Sequence, residues 1–201
     1  MGRRADHSRD ELLKMAVEAA TKIVAKQGVR MLSTRRIAAR MGYSAGTLYQ
    51  LFDNLDDIIL HVNGKTLDGL IKACHDVDFA AGPEASLYDL AERYIGYISR
   101  NPGLWNSVFE HSLPSGRAAP AWFIAKRQTL IGFGEQAIAP LFQPGEETVR
   151  HHEANVLWAG LYGIASLATA GKLPAAESPQ LMVQSLIRNY VAGLRAQRRS
   201  M

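Results

Sequence analysis

Residues 33 to 52 carry side-chain types that suit contact with a nucleic-acid duplex. Arginine supplies a cation for phosphate, serine and threonine supply hydroxyl donors, and a glutamine amide can bond the edge of adenine. In the first part of this run Ile37, Ala38 and Met41 share one apolar face, and in the second Leu48 and Phe52 point inward. The candidate contact residues are Ser33, Thr34, Arg35, Arg36, Ser44, Ala45, Gly46, Thr47, Tyr49, Gln50 and Asn54.

Local signals predict two short helices joined by a tight turn. Gly42 follows the last periodic residue of the first helix, where a left-handed cap is easiest without a Cβ. Ser44 can cap a second helix that starts at Ala45, and the small Ala38 allows the two helices to cross closely. The segment is therefore predicted to be a helix-turn-helix whose second helix enters a major groove.

This segment resembles the N-terminal domain of the tetracycline repressor (TetR) family of bacterial transcription regulators. The resemblance lies in Ala38, Gly42, the run Gly46-Thr47-Leu48-Tyr49 and Phe52. It covers about the first quarter of the chain strongly and the rest only in helical layout. It implies a DNA-binding domain over residues 1–53 and a helical effector-binding and dimerisation domain over residues 54–201, connected by the helix that starts at Asn54.

Charge is distributed unevenly along the 201 residues. Residues 1–52 hold ten Lys/Arg against four Asp/Glu, a net of +6, which leaves −2 for the remainder of the total of +4. A basic N-terminal segment is the electrostatic footprint of a phosphate-binding surface. The Gly2-Arg3-Arg4 arm is a further candidate for contact with DNA, in the minor groove. The alternative is an unanchored, disordered terminus.

Several classes of protein are not supported by the sequence. The single cysteine, Cys74, gives no disulfide framework, and no apolar signal sequence follows Arg3, so a cytoplasmic location is expected. The uncharged run 156–171 is too short to span a bilayer. Adjacent His151 and His152 diverge on a helix and cannot share a metal, and no phosphate loop or nucleophile motif appears. We therefore expect that the protein is not an enzyme and that it binds no cofactor or metal.

Capping residues and prolines predict an all-α fold. Ser8 with Glu11 forms a capping box for a first helix that ends at Gly28. A fourth helix runs from Asn54 toward Cys74, and the later helices are bounded by prolines or a serine cap. These later helices are predicted after Pro83, at about 102–110, from Pro120 to Pro140, up to about Ala170, and from Ser178 to the C-terminal arginines.

The last two helices carry more apolar surface than one partner helix would cover, which predicts a homodimer through a four-helix bundle. The alternative is ordinary packing within one chain. The resemblance to the TetR family implies an effector cavity in the body. The apolar, aromatic character of that region favours a small hydrophobic or aromatic effector, although such residues are more often plain core. The candidate ligand-binding residues are Tyr94, Trp105, Phe109, Trp122, Phe123, Trp158 and Tyr162.

The expected function is a ligand-responsive repressor that binds a palindromic operator as a dimer. The alternative is a DNA-bound adaptor whose body binds a protein instead of a small molecule. One residue departs from the family pattern: Leu55 stands where a phosphate-contacting lysine is common, and Asp56 and Asp57 follow it. We therefore expect DNA binding with a shallower salt dependence than in lysine-bearing relatives.

Overall fold

The computed structural model describes residues 7–199, which form nine α-helices and no strand. The predicted all-α class is confirmed. The Gly2-Arg3-Arg4 arm lies outside the described residues. The helices are α1 (Arg9–Gln27), α2 (Thr34–Met41), α3 (Ala45–Tyr49), α4 (Leu55–Cys74), α5 (Pro83–Arg100), α6 (Pro102–Glu110), α7 (Ala121–Ile138), α8 (Glu147–Thr169) and α9 (Pro179–Arg199).

Helix boundaries follow the local signals in the sequence. At the start of α1 the Ser8 backbone N–H donates to the Glu11 carboxylate at 2.6 Å, and the Glu11 N–H donates to the Ser8 hydroxyl at 3.3 Å. This is the reciprocal capping box that the sequence predicts. Proline is the first residue of α5, α6 and α9, where its missing N–H costs no helical hydrogen bond.

The chain divides into two compact units that are not continuous in sequence. The head unit consists of the described residues up to Leu67 together with Asn101–Phe123, and the body unit consists of Asp68–Arg100 and the described residues from Ile124 onward. Helix α6 is thus part of the head unit. The proposed domain boundary after residue 53 describes the helix-turn-helix motif but not this compact unit.

The core of the head unit is built from α1 to α4 and from α6. Its buried residues include Ile23, Ile37, Leu48 and Ile58, none more than 5% exposed, and Leu104 of α6 joins the same cluster. The helices α6 and α1 approach closely, because a Cβ on Gly103 would lie only 2.9 Å from a backbone carbonyl oxygen of α1. A glycine is therefore required at this crossing.

Two polar links hold α6 against α4 within the head unit. The Ser107 hydroxyl donates to Asn63 Oδ1 at 2.7 Å, and Asn63 Nδ2 donates to the Ser107 carbonyl at 3.2 Å. Both residues are at most 1% exposed. At the C-terminal end of α6, His111 Nε2 lies 2.8 Å from an Asp56 carboxylate oxygen near the start of α4. Since buried polar groups need partners, these pairs fix which face of α6 contacts α4.

In the body unit, α9 packs against both α5 and α8. Val183, Ile187, Val191 and Leu194 of α9 are at most 5% exposed, so their apolar face is covered within one chain. These four residues are therefore not part of the uncovered apolar surface on which the dimer prediction rests. The apolar side chains left uncovered lie mostly on α8.

Candidate nucleic-acid interface and effector cavity

The turn between α2 and α3 has the geometry of a helix-turn-helix. Gly42 adopts the left-handed conformation, with φ 76° and ψ 25°. The Tyr43 N–H donates to the Ala38 carbonyl at 3.0 Å and the Gly42 N–H to the Ala39 carbonyl at 3.3 Å. This pair of bonds closes α2 and redirects the chain. After Ser44, α3 begins at once, so the two helices are separated by three residues.

Three of the candidate contact residues act as helix caps. The Ser33 hydroxyl accepts the Arg36 N–H, the Ser44 hydroxyl accepts the Thr47 N–H, and Asn54 Oδ1 accepts the Asp57 N–H at 3.0 Å. A hydroxyl that accepts one hydrogen bond still carries a hydrogen to donate, as does the amide nitrogen of asparagine. Capping and contact with a phosphate oxygen are thus compatible at these positions.

Arg36 holds α2 to the end of α1, a role that the sequence pattern does not predict. Its guanidinium donates to the Met31 carbonyl at 2.8 Å and to the Gln27 side chain at 2.5 Å, which ties α2 to the end of α1. Arg35 and Arg40 are exposed. Arg35 is therefore the better candidate for a phosphate contact, and Arg36 positions the helix that carries it.

The outer face of α3 presents polar groups beside small residues. Tyr49 is 63% exposed, and its hydroxyl lies 3.4 Å from the Thr34 hydroxyl of α2. Gly46 and Gln50 are also exposed, and Leu48 on the opposite side is 1% exposed. Ala45 and Thr47 are half-buried. This face meets the requirement for groove insertion, namely small residues near the helix start and a side-chain amide beyond them.

Two neighbours of this face carried no recognisable sequence signal. His7 Nδ1 lies 2.6 Å from the hydroxyl of Tyr43 in the turn between α2 and α3. Arg117, in the loop between α6 and α7, has its guanidinium 4.0 Å from the carboxylate of Asp53 at the α3–α4 junction. Both contacts join positions far apart in the chain, which helical periodicity does not predict.

The body unit contains an apolar cavity of about 60 Å³. Its wall is buried on the side of α4 and α5 and half-buried on the side of α7. On α8 the lining residues Ala154 and Leu157 are buried, and Trp158 and Leu161 are half-buried. The lining residues are Leu70, Cys74, Leu87, Leu90, Tyr94, Leu130, Ile131, Phe133, Gly134, Ala154, Leu157, Trp158 and Leu161. Most are aliphatic, whereas the predicted ligand-binding residues are all aromatic.

Of the predicted ligand-binding residues, Tyr94 and Trp158 line this cavity, and Tyr162 stacks on Trp158 with ring centroids 5.6 Å apart. The other four lie in the head unit and do not line it: Trp105, Phe109, Trp122 and Phe123. In the head unit Trp105 is 2% exposed and its ring packs edge-on against that of Phe109. Trp122 stacks on His61 of α4, with ring centroids 5.1 Å apart. Aromatic residues on α6 and early α7 thus serve head packing instead of the cavity.

The titratable groups of the cavity wall are neutral at physiological pH. Burial raises the pKa of the Cys74 thiol to about 11, and burial also raises the pKa of the Tyr94 phenol above its ordinary value. The wall therefore offers no anion or cation to a ligand. A neutral, largely apolar molecule matches this lining.

Among residues 7–199, no helix is both long enough and apolar enough to cross a bilayer. In the same range no three His, Cys, Asp or Glu side chains are grouped so that they could hold a metal ion.

A short turn between two helices, an exposed polar face on the second and a basic N-terminal segment together define a helix-turn-helix DNA-binding protein. Comparison with known protein families supports this class. Residues 16–62 match the bacterial regulatory proteins of the tetR family, and residues 87–190 match the tetracyclin repressor-like C-terminal domain. The chain belongs to the TetR family of transcription regulators, which are DNA-binding proteins and not enzymes.

Individual relatives are distant. The uncharacterized HTH-type transcriptional regulator Rv0681 of Mycobacterium tuberculosis is 22% identical over 173 residues, which cover 86% of this chain and 77% of that protein. A protein of unknown function from Rhodococcus sp. RHA1 has a similar structure, with a TM-score of 0.74 and 18% identity over 96% of this chain and 100% of its own. A tetR-family transcriptional regulator from Streptomyces coelicolor has a TM-score of 0.66 and 16% identity, over 98% of this chain and 82% of its own. At these identities the likeness shows the fold.

Proposed function

We propose that this protein is a dimeric repressor that binds an approximately palindromic operator and releases it when a small neutral apolar or aromatic molecule occupies the body cavity. The observation that carries the proposal is the combination, in one chain, of an exposed reading face on α3 and an uncharged cavity in the body unit. A repressor of this kind needs one surface for each ligand and a structural element that contacts both units.

Helix α4 contributes residues to both units. Ile58 of α4 lies in the head core, and Leu70 and Cys74 of the same helix line the cavity. A ligand that displaces the last turn of α4 acts on the same helix that carries head-core residues. Since a ligand shifts an equilibrium only by its differential affinity for two states, the effector must bind the DNA-releasing state more tightly.

The size of the cavity limits the effector. Pockets for drug-sized ligands measure roughly 300–1,000 Å³, against about 60 Å³ here. The effector is therefore a molecule of few heavy atoms, or it binds a conformation in which α7 and α8 separate. The half-buried residues Phe133 and Trp158 mark the side on which such an opening would occur.

The dimer is supported by an uncovered apolar stripe on α8. Val149, Val156 and Leu167 are 48%, 44% and 43% exposed, and their spacings of seven and eleven residues place them on one side of the helix. Leu181 at the start of α9 is 61% exposed. Two heads held by such a dimer would sample major grooves about 34–36 Å apart, or a multiple of this distance, which makes the operator an approximate palindrome.

Selection of bound duplexes from a random DNA pool tests the proposal. We expect enrichment of one approximate palindrome, and its release when neutral apolar and aromatic metabolites are added singly. Lack of any enriched sequence contradicts sequence-specific binding by this face. An enriched operator that no metabolite releases, together with a protein partner bound to the body, would favour the adaptor. A reporter gene behind the selected operator distinguishes repression from activation by the sign of its response.

A further inference from the structure

The loop between α6 and α7 has a fixed place in the head unit. Helix α6 is held to α4 through Ser107 and Asn63, and its end is held through His111 and Asp56. Asp56 and Asn63 are seven residues apart and lie on one side of α4. The two contacts therefore lead α6 along α4 toward the first turn of that helix, next to α3.

Arg117 lies in the loop that follows α6. Its backbone N–H donates to the Pro114 carbonyl at 3.0 Å, and Gly116 between them has φ +84°, so the loop closes in a tight turn. The Arg117 guanidinium then lies 4.0 Å from the Asp53 carboxylate. Asp53 is 86% exposed in its side chain and follows Gln50, the last candidate contact residue of the reading helix, by three positions.

The junction between α3 and α4 is otherwise unfavourable for a polyanion. Asp53, Asp56 and Asp57 bring three carboxylates to it, and Leu55 adds no charge. Carboxylates beside a bound phosphate repel it and so lower the affinity for DNA. His111 faces Asp56 and the Arg117 guanidinium faces Asp53, so a cation from a distant segment stands where the local sequence supplies none.

We propose that Arg117 is a DNA-contact residue that binds a backbone phosphate beside the α3–α4 junction, although it lies more than sixty positions along the chain from α3. The inference rests on the proposed DNA face of α2 and α3. A guanidinium bonds a carboxylate and a phosphate oxygen through the same planar fork. The 4.0 Å separation from the exposed Asp53 carboxylate is longer than a hydrogen bond, so this contact does not hold the guanidinium as a bidentate pair would.

The test is the salt dependence of binding to a fluorescein-labelled duplex of mixed sequence, measured by anisotropy between about 50 and 200 mM salt. Because each phosphate contact contributes about 0.9 to the slope of log affinity against log salt, Arg117→Ala should lower the slope by about that amount per protomer bound. Arg117→Lys retains the charge and should retain most of the slope. Arg127→Ala removes an equally charged, exposed side chain of α7 in the body unit and should leave the slope unchanged.

Two further variants separate the possible outcomes. If Arg117 only neutralises Asp53, the double variant Arg117→Ala with Asp53→Asn restores the original slope, which would overturn the proposal; a direct contact leaves the slope low. Arg35→Ala reports on the proposed DNA face. A lowered slope in Arg35→Ala with an unchanged slope in Arg117→Ala overturns this inference alone, and unchanged slopes in both overturn the proposed face as well. Thermal unfolding of each variant verifies that the head remains folded.

Discussion

The buried pair Asn63 and Ser107 allows a quantitative test of whether α6 is an integral part of the head unit. Ser107→Ala removes the hydroxyl that donates to Asn63 Oδ1 at 2.7 Å, in a place where the two residues are 0% and 1% exposed. Water cannot replace the lost partner there. Leaving a buried polar group without its hydrogen bond costs about 1–3 kcal/mol, so the free energy of unfolding should fall by that amount.

Asn63→Ala should cost at least as much, because it removes both bonds to Ser107 and also leaves a cavity. The double variant no longer contains an unsatisfied side-chain oxygen at either position. Its loss of unfolding free energy should therefore be smaller than the sum of the two single losses, by about 0.5–3 kcal/mol.

Chemical denaturation followed by tryptophan fluorescence measures these losses, since Trp105 is 2% exposed and lies two residues from Ser107. Ser112→Ala is the matched control, because Ser112 is exposed in the segment after α6 and its loss should change stability by no more than about 0.5 kcal/mol. Strictly additive single losses, or a cost for Ser107→Ala as small as that for Ser112→Ala, would refute the reasoning that this pair fixes α6 to α4.

Three further predictions concern the dimer, the cavity and the DNA contact. Val156→Asp places a charge in the apolar stripe of α8 and should raise the dimer dissociation constant at least about tenfold in analytical ultracentrifugation, and Thr129→Asp on α7 should not; a wild-type monomer at micromolar concentration would contradict the dimer. Gly134→Leu extends a side chain from the cavity wall and should abolish release of the operator by an effector, whereas Gly132→Leu, whose Cβ meets no atom within 4 Å, should not; equal responses of both variants would place the effector elsewhere. Leu55→Lys should steepen the salt dependence of DNA binding by about 0.9 per protomer, with part of the affinity gain lost because Leu55 packs against the head core; an unchanged slope would show that no phosphate lies there.

The helix boundaries could be predicted from the sequence because their causes are local. The Ser8–Glu11 capping box, the left-handed Gly42 and the proline positions each act within about four residues, through hydrogen bonds or backbone dihedral angles that neighbours determine. For the same reason the helix-turn-helix could be recognised and its exposed face named. Matches to two families then confirmed the TetR assignment.

The grouping of the helices could not be predicted in the same way. Periodicity shows which face of a helix is apolar but not which element covers it. The apolar face of α9 is covered by α5 and α8, which its own sequence does not reveal. Likewise the aromatic residues of α6 are predicted ligand-binding residues, whereas Leu104 and Trp105 of that helix are buried in the head unit.

The sequence by itself determined the fold class, the reading helix and the basic character of the N-terminal segment, because local hydrogen bonding, helical periodicity and charge are written in adjacent residues. Only the tertiary structure decided that Arg36 is bound to the end of α1, that α6 belongs to the head unit and that Arg117 faces Asp53. The physical reason is that each of these contacts joins a side chain to a partner on another element, and its geometry exists only once the helices have packed.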